Sequence, residues 1–229
     1  MSSITQRQRS VRKTRMNMSR AAVIVCAAWL TAGCANLDRS RNLGDPAVTG
    51  TVLAQQVCAM CHGQGGVATS PNFPNLAAQS PDYVVAQLTG FRNHSREDPE
   101  GFEYMWGISR RLTDVQIAQL AAYYAKQTPA RQDAEADLAR VKDGQTLFAA
   151  GSPQRGVPPC ASCHGDHGQG LAAFPRIAGQ HADYVRKQLR VFQNTNDRPA
   201  GAAMKAVAHG LDGDDIANVA AYLQTLSEK

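Results

Sequence analysis

Apolar residues recur at helical spacing in several short runs, separated by polar and glycine-rich breaks. Tyr83, Val84, Leu88 and Phe91 follow Ser80-Pro81-Asp82, a helix start in which proline suits the first turn and aspartate the positive end of the dipole. Thr113 with Gln116 forms a capping-box pattern that opens a helix through Tyr124. Asp212 to Asp215 opens the corresponding helix through Leu226. Val52–Val57 and Gly144–Ala150 read as short helices, each leading into a pair of cysteines. No run alternates convincingly with a period of two, so the expected class is all-α. One further apolar stretch, Ala21 to Gly33, carries no charge and is too short to span a bilayer comfortably.

The pattern occurs twice. Cys58-Ala-Met-Cys61-His62-Gly63 matches Cys160-Ala-Ser-Cys163-His164-Gly165, and Phe73-Pro74-Asn75-Leu76-Ala77 matches Phe174-Pro175-Arg176-Ile177-Ala178. Asp82-Tyr83-Val84 matches Asp183-Tyr184-Val185, Gln87-Leu88 matches Gln188-Leu189, and Ala121-Ala122-Tyr123 matches Ala220-Ala221-Tyr222. Met105 stands seven residues before Leu112, and Met204 seven before Leu211. Duplication of one unit accounts for this correspondence. It divides the chain into a leader (1–33), a polar tether (34–49), a first domain (50–127), a polar linker opened by Pro129, either irregular or with a helical turn that leads into the next helix (128–142), and a second domain (143–229). Each domain is about 80 to 90 residues long, a size at which an apolar core alone is marginal.

Charge separates the leader from the rest. The chain of 229 residues has a pI near 9.0, but residues 1–33 hold six basic residues and no acid. From Cys34 onward 18 Lys/Arg face 19 Asp/Glu, a net charge of −1. Basicity therefore supports no nucleic-acid role. A basic segment followed by Ala21–Gly33 is an export signal, and Leu30-Thr31-Ala32-Gly33-Cys34 resembles a bacterial lipobox, implying cleavage before Cys34 and its lipidation. An ordinary secretory peptide cut nearby and an uncleaved anchor are the alternatives. Each delivers the chain to the bacterial periplasmic side, membrane-tethered where Cys34 is lipidated.

The four remaining cysteines form two close pairs, each followed at once by histidine. C-x-x-C-H is the attachment pattern of haem c: two thiols three positions apart reach two vinyl groups on one porphyrin edge, and the adjacent histidine turns onto the iron. A redox dithiol or half a zinc site would use the cysteines but does not require a histidine directly after them, twice. The expected groups are two covalent haem c, on Cys58/Cys61 with His62 and on Cys160/Cys163 with His164. After Cys34 the methionines are Met60, Met105 and Met204. Met60 lies between attachment cysteines, whereas Met105 and Met204 recur at matching places and are the expected sixth ligands. His94 and His209 are the alternatives. The single histidines, His94, His167, His181 and His209, do not recur and are expected mostly at the surface. Pro74 and Pro175 each follow a phenylalanine and either offer a carbonyl to the proximal imidazole or serve only as turn prolines. Tyr83 and Tyr184 are either core or propionate partners. Trp106 has no counterpart, since Lys205 follows Met204.

On these residues, with the two Phe-Pro segments and Gly156-Val157-Pro158-Pro159 before Cys160, the chain resembles a class I diheme cytochrome of the cytochrome c4 type over roughly Gly50 to Leu226. The resemblance implies two tandem all-helical cytochrome c domains, each wrapped around one haem and packed face to face with propionate edges close together. It implies an electron carrier rather than an enzyme, serving periplasmic or membrane-bound redox proteins such as a terminal oxidase. The alternatives are a cytochrome subunit docked on a dehydrogenase or oxidase, and a diheme enzyme such as a peroxidase or a thiosulfate-oxidising cytochrome. The enzyme would need an open haem position.

Overall fold

The computed structural model describes residues 42–99, 101–129 and 137–226. The leader, Cys34, the start of the tether and the middle of the linker lie outside these residues. Both repeats belong to one unit, Leu43–Lys229.

In the first half, helix α1 (Gly50–Leu53) runs through a wider turn, Ala54–Cys58, into the single-turn helix α2 (Ala59–His62). Then follow α3 (Pro81–Arg92), α4 (Gly101–Ser109) and α5 (Asp114–Ala125). The second half repeats the order with α6 (Leu138–Ala150), α7 (Ala161–His164), α8 (Ala182–Asn194), α9 (Ala202–His209) and α10 (Gly213–Thr225). Among the described residues no strand forms, only isolated bridges between Ser152 and Val157 and between Leu171 and Phe174. No described helix is long and apolar enough to cross a membrane.

Local chemistry explains the helix starts. The Ser80 side chain accepts from the Tyr83 N–H with proline in the first turn of α3. Thr113 with Gln116, and Asp212 with Asp215, form reciprocal capping boxes at α5 and α10. Each half buries its own apolar cluster. Leu53, Leu112, Ile117 and Leu120 centre the first, and Phe148, Leu189, Ile216, Val219 and Leu223 the second. In both, the first and last helices cross closely, α1 on α5 and α6 on α10. A β-carbon at Gly50 would lie 2.4 Å from that of Gln119, and one at Gly144 would lie 2.0 Å from the Asn218 carbonyl oxygen. Only glycine permits either crossing.

Two sequence expectations shift. Helix α6 begins at Leu138, inside the expected linker, because Asp137 caps it by accepting from the Ala139 and Arg140 N–H groups. The end of the expected tether is part of the first half: Val48 is buried in its core, and Gln116 donates to the carbonyls of Asp45 and Val48. The halves also differ ahead of the cysteines. Gly50 stands eight positions before Cys58 and Gly144 sixteen before Cys160; the loop from Gly151 to Pro159 fills the difference.

Candidate functional site

The wider turn before the first cysteine pair closes with the Ala59 N–H on the Ala54 carbonyl, an i to i−5 bond of the kind concentrated at functional sites. Cys58 and Cys61 then lie one helical turn apart on a shared face, as do Cys160 and Cys163. None of the four thiols is joined to another in a disulfide. Burial pushes the Cys58 thiol up and the Cys160 thiol up to about 11. A redox dithiol works through a lowered thiol pKa, and neither Cys58 nor Cys160 is shifted in that direction. The Tyr124 hydroxyl is buried against Cys58 and has no hydrogen-bond partner of good geometry among the described residues. Nor, among those residues, do three or more His, Cys, Asp or Glu side chains converge on a point that could hold a bare metal ion.

Each pair is followed by a buried histidine held in the same way. His62 Nδ1 lies 2.9 Å from the Pro74 carbonyl oxygen, and His164 Nδ1 lies 2.9 Å from that of Pro175. Burial, more than these bonds offset, holds both imidazoles below the usual histidine range. A neutral ring that donates Nδ1–H keeps its lone pair on Nε2. Phe73 and Phe174 stand edge-on to His62 and His164, with ring centres 6.1 and 6.2 Å away.

Met105 and Met204 are half-buried on α4 and α9, in each half the helix immediately before the last; Met204 packs against the second core. Met60 is 85% exposed. His94 and His209 are exposed, with Nδ1 near Glu97 and the Lys205 carbonyl respectively, and His167 is exposed as well. His94 also packs on Phe102 and Trp106, with Arg110 over the Trp106 ring, an aromatic stack that the second half replaces with Lys205. His181 departs from the surface expectation. It is buried at the start of α8, where the first half has Ser80, and its Nε2–H donates to the Ala68 carbonyl of the other half at 2.9 Å.

A polar cluster between the halves was not legible in the sequence. Arg96 stacks over Phe91 and Arg198 over the repeat-equivalent Phe192, at 4.3 and 4.6 Å. Arg96 grips the fully buried Asp98 at 2.6 Å and donates to Gln87. Arg198 donates to Gln188 in its own half and crosses to Gln87 and the Tyr83 hydroxyl. Tyr184 is raised by burial, against the opposing pull of Arg96 and Arg198. Two buried guanidiniums thus meet one buried carboxylate, a cationic surplus that anionic propionates would neutralise. Thiol pairs, neutral histidines with an available Nε2 and this surplus together fit two haem c groups.

Known proteins agree with that fit. The model of the family described as "Cytochrome c" matches residues 47–127 and 141–227. The chain is 40% identical to cytochrome c4 of Thiocapsa roseopersicina over 192 residues, covering 81% of this chain and 95% of that one. The structure of reduced cytochrome c4 from Pseudomonas stutzeri superposes with a TM-score of 0.69 at 36% identity, covering 80% of this chain and 99% of that one. A thiosulfate dehydrogenase structure from Marichromatium purpuratum matches with a TM-score of 0.64 at 33% identity, over 82% of this chain and 40% of that longer one.

Proposed function

The chain belongs to the cytochrome c family, and from that premise we propose which residues hold its haems and how they shape electron transfer. Like its cytochrome c4 relatives it is a diheme electron carrier, not an enzyme, with two covalently bound haem c groups. Cys58 and Cys61 would hold the first group and Cys160 and Cys163 the second, through thioether bonds. His62 and Met105 would hold the iron of the first group, and His164 and Met204 that of the second. Pro74 and Pro175 orient the proximal rings.

The matching His–Pro carbonyl bonds carry this reading. Each fixes the ring tautomer, aims the Nε2 lone pair away from the carbonyl and raises the basicity of that nitrogen. Bound there, haem c supplies reversible one-electron exchange between its ferric and ferrous states. A methionine thioether as the second ligand would raise the reduction potential relative to a second histidine. Held by both a histidine and a methionine, each iron would have no position for peroxide or another substrate. Arg96, Arg198 and the tyrosines beside them would supply the positive charge and hydroxyl groups that anionic propionates need.

A redox titration with optical and near-infrared spectra tests the assignment. Two one-electron waves and a weak methionine-to-ferric-iron band at the red edge are expected. Met105→Ala removes that band from one haem and Met204→Ala from the other, each lowering the potential of its own haem. Unchanged spectra in both variants overturn the methionine assignment, and rapid stoichiometric CO binding by the ferrous protein overturns the closed site.

The basic and then apolar residues 1–33 support export to the bacterial periplasm, and the lipobox-like run ending at Cys34 supports a lipid tether there. The partners are then periplasmic or membrane-bound redox proteins. Similarity to part of a thiosulfate dehydrogenase supports a second reading, a cytochrome module that accepts electrons directly from a dehydrogenase. Co-purification with such an enzyme distinguishes it from a free carrier.

A further inference from the structure

Two peptide groups at the junction are each held from both sides. The Pro74–Asn75 peptide accepts the His62 ring N–H on its carbonyl at 2.9 Å. Its N–H donates to Oε1 of Gln180, in the other half, at 2.8 Å. Gln180 completes the grip by donating Nε2–H to the Asn75 carbonyl at 3.0 Å. The Pro175–Arg176 peptide repeats this. It accepts from His164 at 2.9 Å, and its N–H donates to Oε1 of Gln79 at 2.7 Å, while Gln79 Nε2 donates to the Arg176 carbonyl at 2.9 Å. The glutamines are repeat equivalents, 5% and 7% exposed. Their orientation is fixed, because each Oε1 also accepts the N–H of the following residue, Ser80 or His181.

We propose that Gln79 and Gln180 are positioning residues that set, across the domain junction, the reduction potential of the haem in the opposite half. Gln180 acts on the haem held by His62, and Gln79 on the haem held by His164. The inference rests on the reading of those histidines as iron ligands. The physical link is the peptide itself. An N–H that donates to a glutamine oxygen polarises its own carbonyl, and bonds in such a chain strengthen one another by about 10–30% each. The carbonyl then draws harder on the imidazole N–H, leaving more electron density at Nε2. A more electron-rich imidazole favours ferric iron and lowers the potential. Because each glutamine belongs to the other half, the two potentials depend on how the halves are docked.

The test uses the full holoprotein carrying Gln180→Met or Gln79→Met, with each redox wave assigned to its half by paramagnetic NMR of the haem methyl groups. Gln180→Met is expected to raise the potential of the His62 haem by about 30 mV. That is about a threefold change in the equilibrium constant at 59 mV per tenfold for one electron. The His164 haem should stay in place. Gln79→Met gives the converse. The ring N–H proton of the affected histidine moves upfield as its bond weakens. Gln180→Glu, whose protonated carboxyl can reproduce both bonds, returns the potential to the wild-type value at acidic pH. Ser80→Ala, which breaks another bond across the junction, to the Ala172 carbonyl, leaves both potentials unchanged. A shift confined to the haem of the substituted half, equal shifts of both haems, or unmoved potentials overturn the proposal. If the unsubstituted holoprotein shows no paramagnetically shifted ring signals of an iron-bound histidine, the ligand reading fails instead.

Discussion

Asp98 is fully buried and still ionised because two guanidiniums surround it. Burial alone pushes its carboxyl up; the hydrogen bond from Arg96 and the charges of Arg96 and Arg198 outweigh that and hold it below the ordinary carboxylate range. A carboxyl with a depressed folded pKa contributes stability that is fully present above its unfolded value, about 3.9, and is lost as pH falls through the folded value. Removing one partner from a buried ionic group costs about 3–5 kcal/mol. Asp98→Asn is therefore expected to lose about 3 kcal/mol at pH 7, read from denaturant midpoints. The gap to the wild type should narrow below about pH 4 as the native carboxyl is protonated; a gap independent of pH would contradict the ionised assignment. At this scale the sequence was partly legible. The cysteine pairs, the following histidines and the Phe-Pro segments stand out because their chemistry needs fixed local spacing. His181 does not, since its role depends on a carbonyl of the other half at Ala68, and no local pattern encodes a partner 113 residues away. Gln79 and Gln180 recur in plain view in the repeat, but a buried amide and an exposed one look the same in sequence.

Helix boundaries followed from capping chemistry where a Ser, Thr or Asp stands directly ahead of a recognisable apolar run, as at Ser80, Thr113 and Asp212. The start of α6 did not, because Asp137 and the helix after it sit in a stretch whose polarity reads as linker. Glycine carries a second element-scale message. Gly144 and Gly107 both lie inside helices, where alanine is normally favoured by about 1 kcal/mol. At Gly107 an added β-carbon meets nothing within 4 Å, so Gly107→Ala should gain roughly 0.5–1 kcal/mol. At Gly144 the same carbon would collide with the Asn218 carbonyl at 2.0 Å and with Tyr222. Overpacking costs about 1–3 kcal/mol, and a backbone neighbour cannot rotate away, so Gly144→Ala should be destabilising by about 1–2 kcal/mol. Opposite signs in chemical denaturation are the expected result; two gains would show that α6 and α10 can part without loss.

At the scale of the whole molecule, the halves face each other about an approximate twofold relation that the sequence breaks at one informative place. Asp98-Pro99-x-Gly101 and Arg198-Pro199-x-Gly201 correspond, and the two residues before the prolines carry opposite charges that meet across the junction at 4.0 Å. Two copies of either half alone would bring like charges together there, so the pairing specifies one half of each kind. Around it, the four bonds of the two glutamines, the Asn75 side chain on the Gly179 carbonyl, His181 on Ala68 and the Glu97 N–H on the Asp197 carbonyl all recognise backbone. At about 1 kcal/mol net for each such bond, their sum rivals the few kcal/mol that a domain of this size holds alone. The halves should therefore unfold together. In a chain beginning at Cys34, Trp106 is the sole tryptophan and reports the first half, while far-UV circular dichroism reports the helices of both. The two transitions should coincide for the wild type in guanidinium. In the double variant Gln79→Met/Gln180→Met they should separate, with Trp106 changing first, because the first half's apolar cluster holds seven buried residues against eleven in the second among those described. Coincident transitions in the double variant would mean that the ionic cluster, rather than the glutamine pair, couples the halves.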